Sequence, residues 1–410
     1  MPNASPRTNG QRVLADLNAL RAIGAYKTGV HRPTFSEPHA RSLEWLANKL
    51  PEAGLIAVVD GIGNVLGTSS KPGLKLLAGS HLESQNHAGW LDGPLGVIYA
   101  LEAARVLNAD PAVSGAVEVA SWCDEEGHFG QFLGSRSYVG GVSETDIDAA
   151  RDRSNGRSMR EALTAVGLSG RPRLRAVRGR HIGYLEAHIE QGETLESGGL
   201  KIGVVTTIVG IWQYRIVFTG EQNHAGTTRM AIRKDAGLAL ARFCVAIDEV
   251  FPAICGPRTV WTTGRMALDP GAPSIIPGHA EMLFQMRDAD TAVIERLEEK
   301  LRSMASEATA RGPCSVAVER LRTGTPATMD ASFQDAIEAA SAEFADGKSL
   351  RMPSGAGHDA QVLATIMPSG MLFVPSIGGI SHHWTENTAD EDIVTGAEVF
   401  VETCRRLLTR

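Results

Sequence analysis

The chain is poor in cysteine. Its five cysteines (Cys123, Cys244, Cys255, Cys314 and Cys404) are scattered, odd in number and never spaced as a Cys-x-x-Cys pair. That pattern argues against a zinc knuckle and against a disulfide framework. A basic excess is also missing. The formal net charge is −7, whereas a general nucleic-acid binder needs a positive face. No apolar run is long enough to span a bilayer, and the stretch Met1–Arg7 has no apolar core of the kind a signal peptide carries. These absences predict a protein of the reducing cytoplasm, with neither nucleic acid nor membrane as a partner. The one local exception to the charge balance, the basic segment Arg171–His181, reads as a solvated loop.

The 410 residues, 43% hydrophobic and 21% charged, are too many for one ordinary core and predict two globular domains. Residues 11–51 carry apolar positions at helical spacing: Val13, Leu14, Leu17, Leu20 and Ile23, then Leu43, Leu46 and Leu50. Strands are expected at 55–59, 74–80 and 116–123, with a helix over 93–107 between the last two, which predicts an α/β layered domain. The pattern changes near residue 212. Strands at 213–219, 258–267, 280–286 and 315–322, with helices over 230–250 and 290–310, give the β-α-β-β-α-β order of a ferredoxin-like unit. The α/β pattern resumes with helices over 331–345 and 390–408 and a strand at 371–374. The expected organisation is a catalytic domain in two parts, 1–212 and 329–410, around an inserted domain at 213–328.

Asp124-Glu125-Glu126 stands out, because three acids directly after the apolar run Val117–Cys123 are costly to hold together. Divalent cations would offset that cost. Other candidate ligands sit where strands end and loops begin: His81 in GSHLES (79–84), Asp92 in WLDGPLG (90–96), His188 in EAHIEQG (186–192) and His382 in GISHHW (379–384). Glu83, two residues beyond His81 on an extended segment, points to the same side and is expected to hold the imidazole from behind. A mixed His/carboxylate set suits zinc, manganese, cobalt or nickel. Two such ions would be partly neutralised by Asp92 and Glu126, and an ionised Glu125 with a hydroxide would complete the balance. Taken alone, His188 could be an ordinary edge-strand residue, but the Glu-x-His-x-Glu-Gln-Gly pattern argues against that; Arg287 as a salt-bridge partner of Asp288 or Asp290 is the minority reading.

With those segments, NHAGTTRMAIRKDA (223–236), MRDAD (286–290), MPSGAGHDAQ (352–361) and the longer DEEGHFGQFLGSR (124–136), the chain resembles the M20-type dinuclear metallohydrolases. The likeness is to the hydantoinase/carbamoylase branch, which includes N-carbamoyl-L-amino acid hydrolases, allantoate amidohydrolases and β-ureidopropionases. The resemblance implies a zinc-peptidase-like α/β/α catalytic domain with an inserted ferredoxin-like lid and dimerisation domain. It also implies two divalent metal ions per subunit. Asp92 would bridge them, Glu126 and His382 would complete one site, and His81 and His188 the other. Glu125 would be the general base. His224 would reach the partner subunit's site in a homodimer and stabilise the oxyanion. Gln191 would bind the amide or ureido end of a small-molecule substrate, and Arg287 its carboxylate. The backbone around Gly357 and the side chain of His358 would line the same pocket.

Four positions depart from the family pattern. Glu83 replaces an aspartate. Ser274 replaces an asparagine that partners the substrate carboxylate. Arg229 replaces a proline, and His383-Trp384 replaces a smaller pair. Trp384 and Trp90 are expected to make the pocket more aromatic. The reading is a dinuclear-metal amidohydrolase acting on a small N-carbamoyl or N-acyl amino-acid-like compound. The alternatives are an M20-type peptidase or N-deacylase, and a catalytically silent binding protein of the same fold.

Overall fold

The computed structural model describes residues 7–409. Residues 1–6, most of the stretch read for a signal peptide, and residue 410 lie outside the described residues. By its internal contacts the chain divides into two compact units. One is formed by residues up to Thr206 together with Thr328 onward, and the other by Thr207–Ala327.

The larger unit is built on a nine-stranded sheet. Four strands in its middle run parallel in the order Ser369–Val374, Tyr184–Ile189, Lys75–His81, Ala116–Trp122. Antiparallel Val65–Thr68 and Ile56–Val59 extend it past Ala116–Trp122, and Ile202–Ile208 flanks the other side. The parallel strands are buried throughout, as expected where helices cover both faces. Alternation assigns the faces. Val117 and Val119 join a core shared with helices Gly10–Ala22, Pro94–Asn108, Ala331–Phe344 and Asp390–Leu408. Trp122 points the other way, against Tyr184 and against Tyr138 of helix Leu133–Tyr138. The result is an α/β/α sandwich. His188 lies on an inner strand of it, paired on both sides, as the argument against an edge-strand residue expects.

Glu118 shares Trp122's face and explains the basic segment. Its carboxylate accepts from Arg180 Nη2 (2.6 Å), His181 Nε2 (2.9 Å) and Ser69 N–H (2.9 Å). Arg173 bonds Glu144 at 2.7 Å, and Arg175 donates to Ser137 O. The segment is a loop, but much of its charge is spent on internal partners. Burial alone would raise the Glu118 carboxyl; hydrogen bonds from His181, Arg180 and Ser69 outweigh it and hold the pKa at about 2. A depressed carboxyl stabilises the fold above its ordinary range, and that contribution is lost as pH falls toward the folded value. Glu118→Gln is therefore expected to cost about 2 kcal/mol at neutral pH, discounted for the partial exposure of Arg180. The deficit should shrink when urea midpoints are compared again at about pH 3.

The smaller unit has the order Gly210–Thr219, Ala236–Val250, Val260–Asp269, His279–Asp288, Thr291–Arg311, Ser315–Thr323. Its four strands are antiparallel in the sheet order Val260–Asp269, His279–Asp288, Gly210–Thr219, Ser315–Thr323. This is the ferredoxin-like arrangement. Tyr214, Ile216, Phe218, Met282 and Phe284 on one face of the sheet share a core with Leu240, Phe243, Leu297 and Leu301 of the two helices. The first helix begins later than the apolar pattern suggests. Met230–Ile232 is a separate short turn, and Asp235 caps the helix proper by accepting from Leu238 N–H at 2.9 Å.

Candidate functional site

The carboxyl ends of parallel strands are where α/β sheets bind ligands, and the candidate residues of the larger unit gather there. His81 is the last residue of its strand. Its Nδ1 donates to the carbonyl oxygen of Glu83 at 3.1 Å. His188 Nδ1 donates to Ile189 O at 2.9 Å. A carbonyl can only accept, so both rings carry a proton on Nδ1, which leaves Nε2 as the atom a cation would take. The two Nε2 atoms lie 3.5 and 3.1 Å from Asp92 Oδ1. The second oxygen of Asp92 faces elsewhere: Oδ2 is 3.4 Å from His382 Nε2, which is 3.6 Å from Glu126 Oε2. Two groups result, His81/Asp92/His188 and Asp92/Glu126/His382, each with ligand atoms within 4.8 Å of one another and with Asp92 common to both.

Local sequence makes this geometry possible. Gly93 has φ +88°, and a Cβ there would meet the His81 ring at 2.5 Å. It also starts the helix Pro94–Asn108, with Pro94 in the first turn. Gly89 leaves room for the Glu386 carboxyl, which an added Cβ would meet at 1.9 Å. Glu386 Oε1 accepts from Asp92 N–H at 3.2 Å, and its Oε2 accepts from Ser381 Oγ at 3.1 Å. Ser381 Oγ also lies 3.2 Å from Asp92 Oδ2. Glu386 and Ser381 thus brace Asp92, and no role had been read for either from the sequence.

The electrostatics are those of a site that draws cations. Burial lowers the pKa of His81, but Asp92, Glu125 and Glu83 push it well above the ordinary range. Asp92 raises His382 to about 9. For Asp92 itself burial is outweighed by His188, His382 and His81, and its pKa falls well below normal. Burial pushes Glu125 well up; His81 opposes this, and Glu126, Asp359 and Asp92 add to it. A buried His81 Nε2 without a hydrogen bond, at the centre of a His/carboxylate set, fits a divalent metal.

The acidic run divides by direction. Asp124, at φ +59°, turns away and accepts from Thr34 Oγ1, His128 N–H and Gly130 N–H, each at 2.7 Å, closing the loop after the strand. Glu126 joins the ligand group. Glu125 Oε2 stands 3.8 Å from His81 Nε2 and belongs to neither group.

Several expectations change in detail. The Glu83 carboxylate is 3.8 Å from His81 Nδ1, so the carbonyl, not the side chain, holds the ring. The longer side chain instead accepts from Glu125 N–H at 2.6 Å. His358 is buried behind His188, with ring centroids 4.6 Å apart and Nε2 3.0 Å from Ser354 Oγ. That contact sets it against one of the candidate metal-holding rings. Gly357 precedes it, at the turn before the short helix Asp359–Leu363. Trp90 is buried in the core with the Arg21 guanidinium 4.6 Å over its ring, so it adds nothing aromatic to a pocket. The Trp384 ring is covered by the Lys27 ammonium at 3.6 Å and by His383 at 3.9 Å. Gln191 does reach the site: at φ +58°, its Nε2 donates to Asp92 Oδ2 at 2.9 Å, and its buried Oε1 has no partner.

Three candidates lie in the smaller unit. His224, on the short strand Asn223–His224, is exposed, and its Nδ1 accepts from Gly226 N–H (3.0 Å) and Thr227 N–H (3.2 Å). The ring proton is therefore on Nε2, an outward donor. Ser274 is also exposed, and its carbonyl accepts from Ala225 N–H at 2.9 Å, tying down the His224 turn. Arg287 sits on the inner strand His279–Asp288, where burial lowers its pKa. Asp288 accepts from Thr259 Oγ1 and Asp290 N–H.

Residues 75–406 match the model of Peptidase family M20/M25/M40. An N-carbamoyl-L-amino acid amidohydrolase of Geobacillus stearothermophilus is 33% identical over 97% of this chain and 98% of its own. An allantoate amidohydrolase of Escherichia coli K12 is 30% identical over 95% of each. Among solved structures, an amidase of the hydantoinase/carbamoylase family from Burkholderia phymatum superposes with TM-score 0.88 at 44% identity, covering 99% of both chains. The chain belongs to the M20/M25/M40 peptidase family and, within it, to the hydantoinase/carbamoylase-type amidohydrolases, hydrolases of C–N bonds in linear amides.

Proposed function

We propose that the protein is a two-metal amidohydrolase that cleaves the ureido or amide C–N bond of a small N-carbamoyl or N-acyl compound bearing a carboxylate. The observation that carries this reading is Asp92, whose two oxygens face two separate ligand pairs. His81 and His188 would hold one ion and Glu126 and His382 the other, with Zn2+, Mn2+, Co2+ and Ni2+ all compatible. Such ions would polarise the scissile carbonyl and make a water acidic at neutral pH. Glu125 would be the group that takes a proton from the attacking water and hands it to the leaving nitrogen. Gln191 offers its unpartnered Oε1 to the N–H groups of the ureido end. Release of ammonia and carbon dioxide would mark a carbamoyl substrate.

In this reading the smaller unit is a lid and a dimerisation domain. His224 supplies an Nε2–H donor for the oxyanion and Arg287 a guanidinium fork for the carboxylate. One edge strand of its sheet, Val260–Asp269, exposes Val260, Met266 and Leu268, and helix Ala236–Val250 exposes Leu238 and Val245. An unpaired apolar edge of this kind suits pairing with a second copy. Among the described residues no helix is long and apolar enough to cross a membrane.

The test is a hydrolysis screen of N-carbamoyl amino acids, allantoate, ureido acids and simple N-acyl amino acids, with each metal added to chelator-stripped protein. Turnover of N-acyl but not ureido compounds would move the assignment to a deacylase. Elemental analysis should find two divalent ions per active chain; activity in a chain holding none would sink the mechanism. Arg287→Ala should raise KM about tenfold or more for carboxylate-bearing substrates. An equal rise for neutral amides would reject the carboxylate grip.

A further inference from the structure

Glu126 is engaged from behind by residues that the two-metal reading leaves without a role. Gln85 meets its carboxylate twice: the backbone N–H donates to Oε1 at 3.2 Å, and the side-chain Nε2 donates to Oε2 at 2.7 Å. The same Nε2 lies 3.2 Å from the Glu126 carbonyl oxygen. Behind Gln85 stands Arg153, whose Nη2 donates to Gln85 Oε1 and whose Nη1 donates to Glu126 O at 3.1 Å. One planar guanidinium therefore grips the ligand residue's main chain and the carboxamide that orients its side chain.

The segment that delivers Arg153 is built for placement. Arg153 N–H donates to His128 O at 2.9 Å, and Asp152 N–H donates to Arg157 O at 2.8 Å. An isolated bridge joins Arg151 to Ser158. Asn86, next to Gln85, donates to Ser154 Oγ at 3.3 Å. The contrast with the other ligand group matters here. His81 and His188 are oriented by carbonyls within two residues of themselves. Glu126 depends on groups 41 and 27 residues away.

We propose that Arg153, acting through Gln85, is a positioning residue that sets the affinity of the Asp92/Glu126/His382 subsite for its divalent ion. This rests on Glu126 being a metal ligand, as proposed above. Glu126 Oε2 is the oxygen nearest His382 Nε2, at 3.6 Å. A carboxylate oxygen has two acceptor positions, so Oε2 bonded to Gln85 keeps one for a cation and is held in a single rotamer. Without Arg153 the Gln85 carboxamide keeps only its bonds to Glu126 itself, so the two side chains must be ordered together at the moment the ion binds. Removing groups that orient a metal ligand typically weakens binding about 10- to 100-fold.

The test is titration of chelator-stripped full-length protein with Mn2+, followed by calorimetry and elemental analysis. Wild type should take up two ions per chain. In Arg153→Ala and in Gln85→Met one ion should bind as in wild type and the other about tenfold or more weakly. The double variant should be no worse than either single one, because the two residues act in series. Arg157→Ala, on the same segment, should bind both ions as wild type does. Unchanged uptake in Arg153→Ala overturns the inference alone. An equal loss in Arg157→Ala also overturns it, since general loosening of residues 151–158 would then be the cause. A wild-type chain that binds a single ion sinks the two-metal reading and this inference with it.

Discussion

Glu125→Gln is expected to lower kcat by roughly 10³-fold with both metal ions still bound. Glutamine fills the same volume and keeps a polar end near His81, but it cannot take a proton from water. Metal retention is expected because Glu125 belongs to neither ligand group. Its backbone is fixed independently, by the bond from its N–H to Glu83 Oε1. The environment explains why this carboxylate is suited to shuttling. Burial raises its affinity for a proton, and so do Glu126, Asp359 and Asp92, with His81 as the opposing charge. Divalent ions at the neighbouring ligands would pull that affinity back down, toward the neutral range where a base works best. Elemental analysis alongside steady-state kinetics checks the claim. Substantial turnover by a fully loaded Glu125→Gln enzyme would remove Glu125 as the base. Loss of metal together with activity would make it a ligand instead.

The same carboxylate shows how far the sequence reaches. Acids after a buried strand, and histidines where strands end, can be picked out from apolar patterning, and parallel strands then carry their C-terminal residues to one edge. That is why His81, Asp92, Glu126, His188 and His382, scattered over 302 positions of the chain, could be named as one group before the structure brought them together. The periodicities of the smaller unit were equally readable, because its strands and helices are amphipathic.

What escaped has a common physical cause: contact between residues that no periodicity links. Glu386 braces Asp92 across 294 positions, and nothing about a glutamate in a loop announces that it is buried. Gln85 and Arg153 meet across 68 positions, on segments that read as ordinary polar loops. Glu83 was assigned to the right neighbourhood with the wrong atom. Its extra methylene carries the carboxylate past His81 to the N–H of Glu125, while its carbonyl does the work expected of the side chain. The packing of His358 against the His188 ring, across 170 positions, was likewise not announced by any spacing.

His224→Ala should reduce kcat by roughly 10²–10³-fold, the usual cost of removing one oxyanion donor, without changing metal content. The imidazole is prepared for donation. Two backbone N–H groups occupy Nδ1, so the proton sits on Nε2 and the ring is exposed. Its turn is held by the Ser274 carbonyl, so the Asn-to-Ser departure there leaves the histidine's support in the backbone, where side-chain identity matters least. If the donor serves the partner subunit's site, the two strongest variants must complement each other. Mixing inactive Glu125→Gln dimers with inactive His224→Ala dimers, under conditions where subunits exchange, should regenerate about a quarter of wild-type activity. About half the dimers become hybrid, and each hybrid holds one site with both groups intact. If His224 serves its own subunit, a hybrid contains only one-group-deficient sites and mixing restores nothing. Recovery with exchange, and none when the dimers are cross-linked before mixing, would establish the shared site. Absence of recovery despite demonstrated exchange would place His224 in its own subunit's site or outside catalysis altogether.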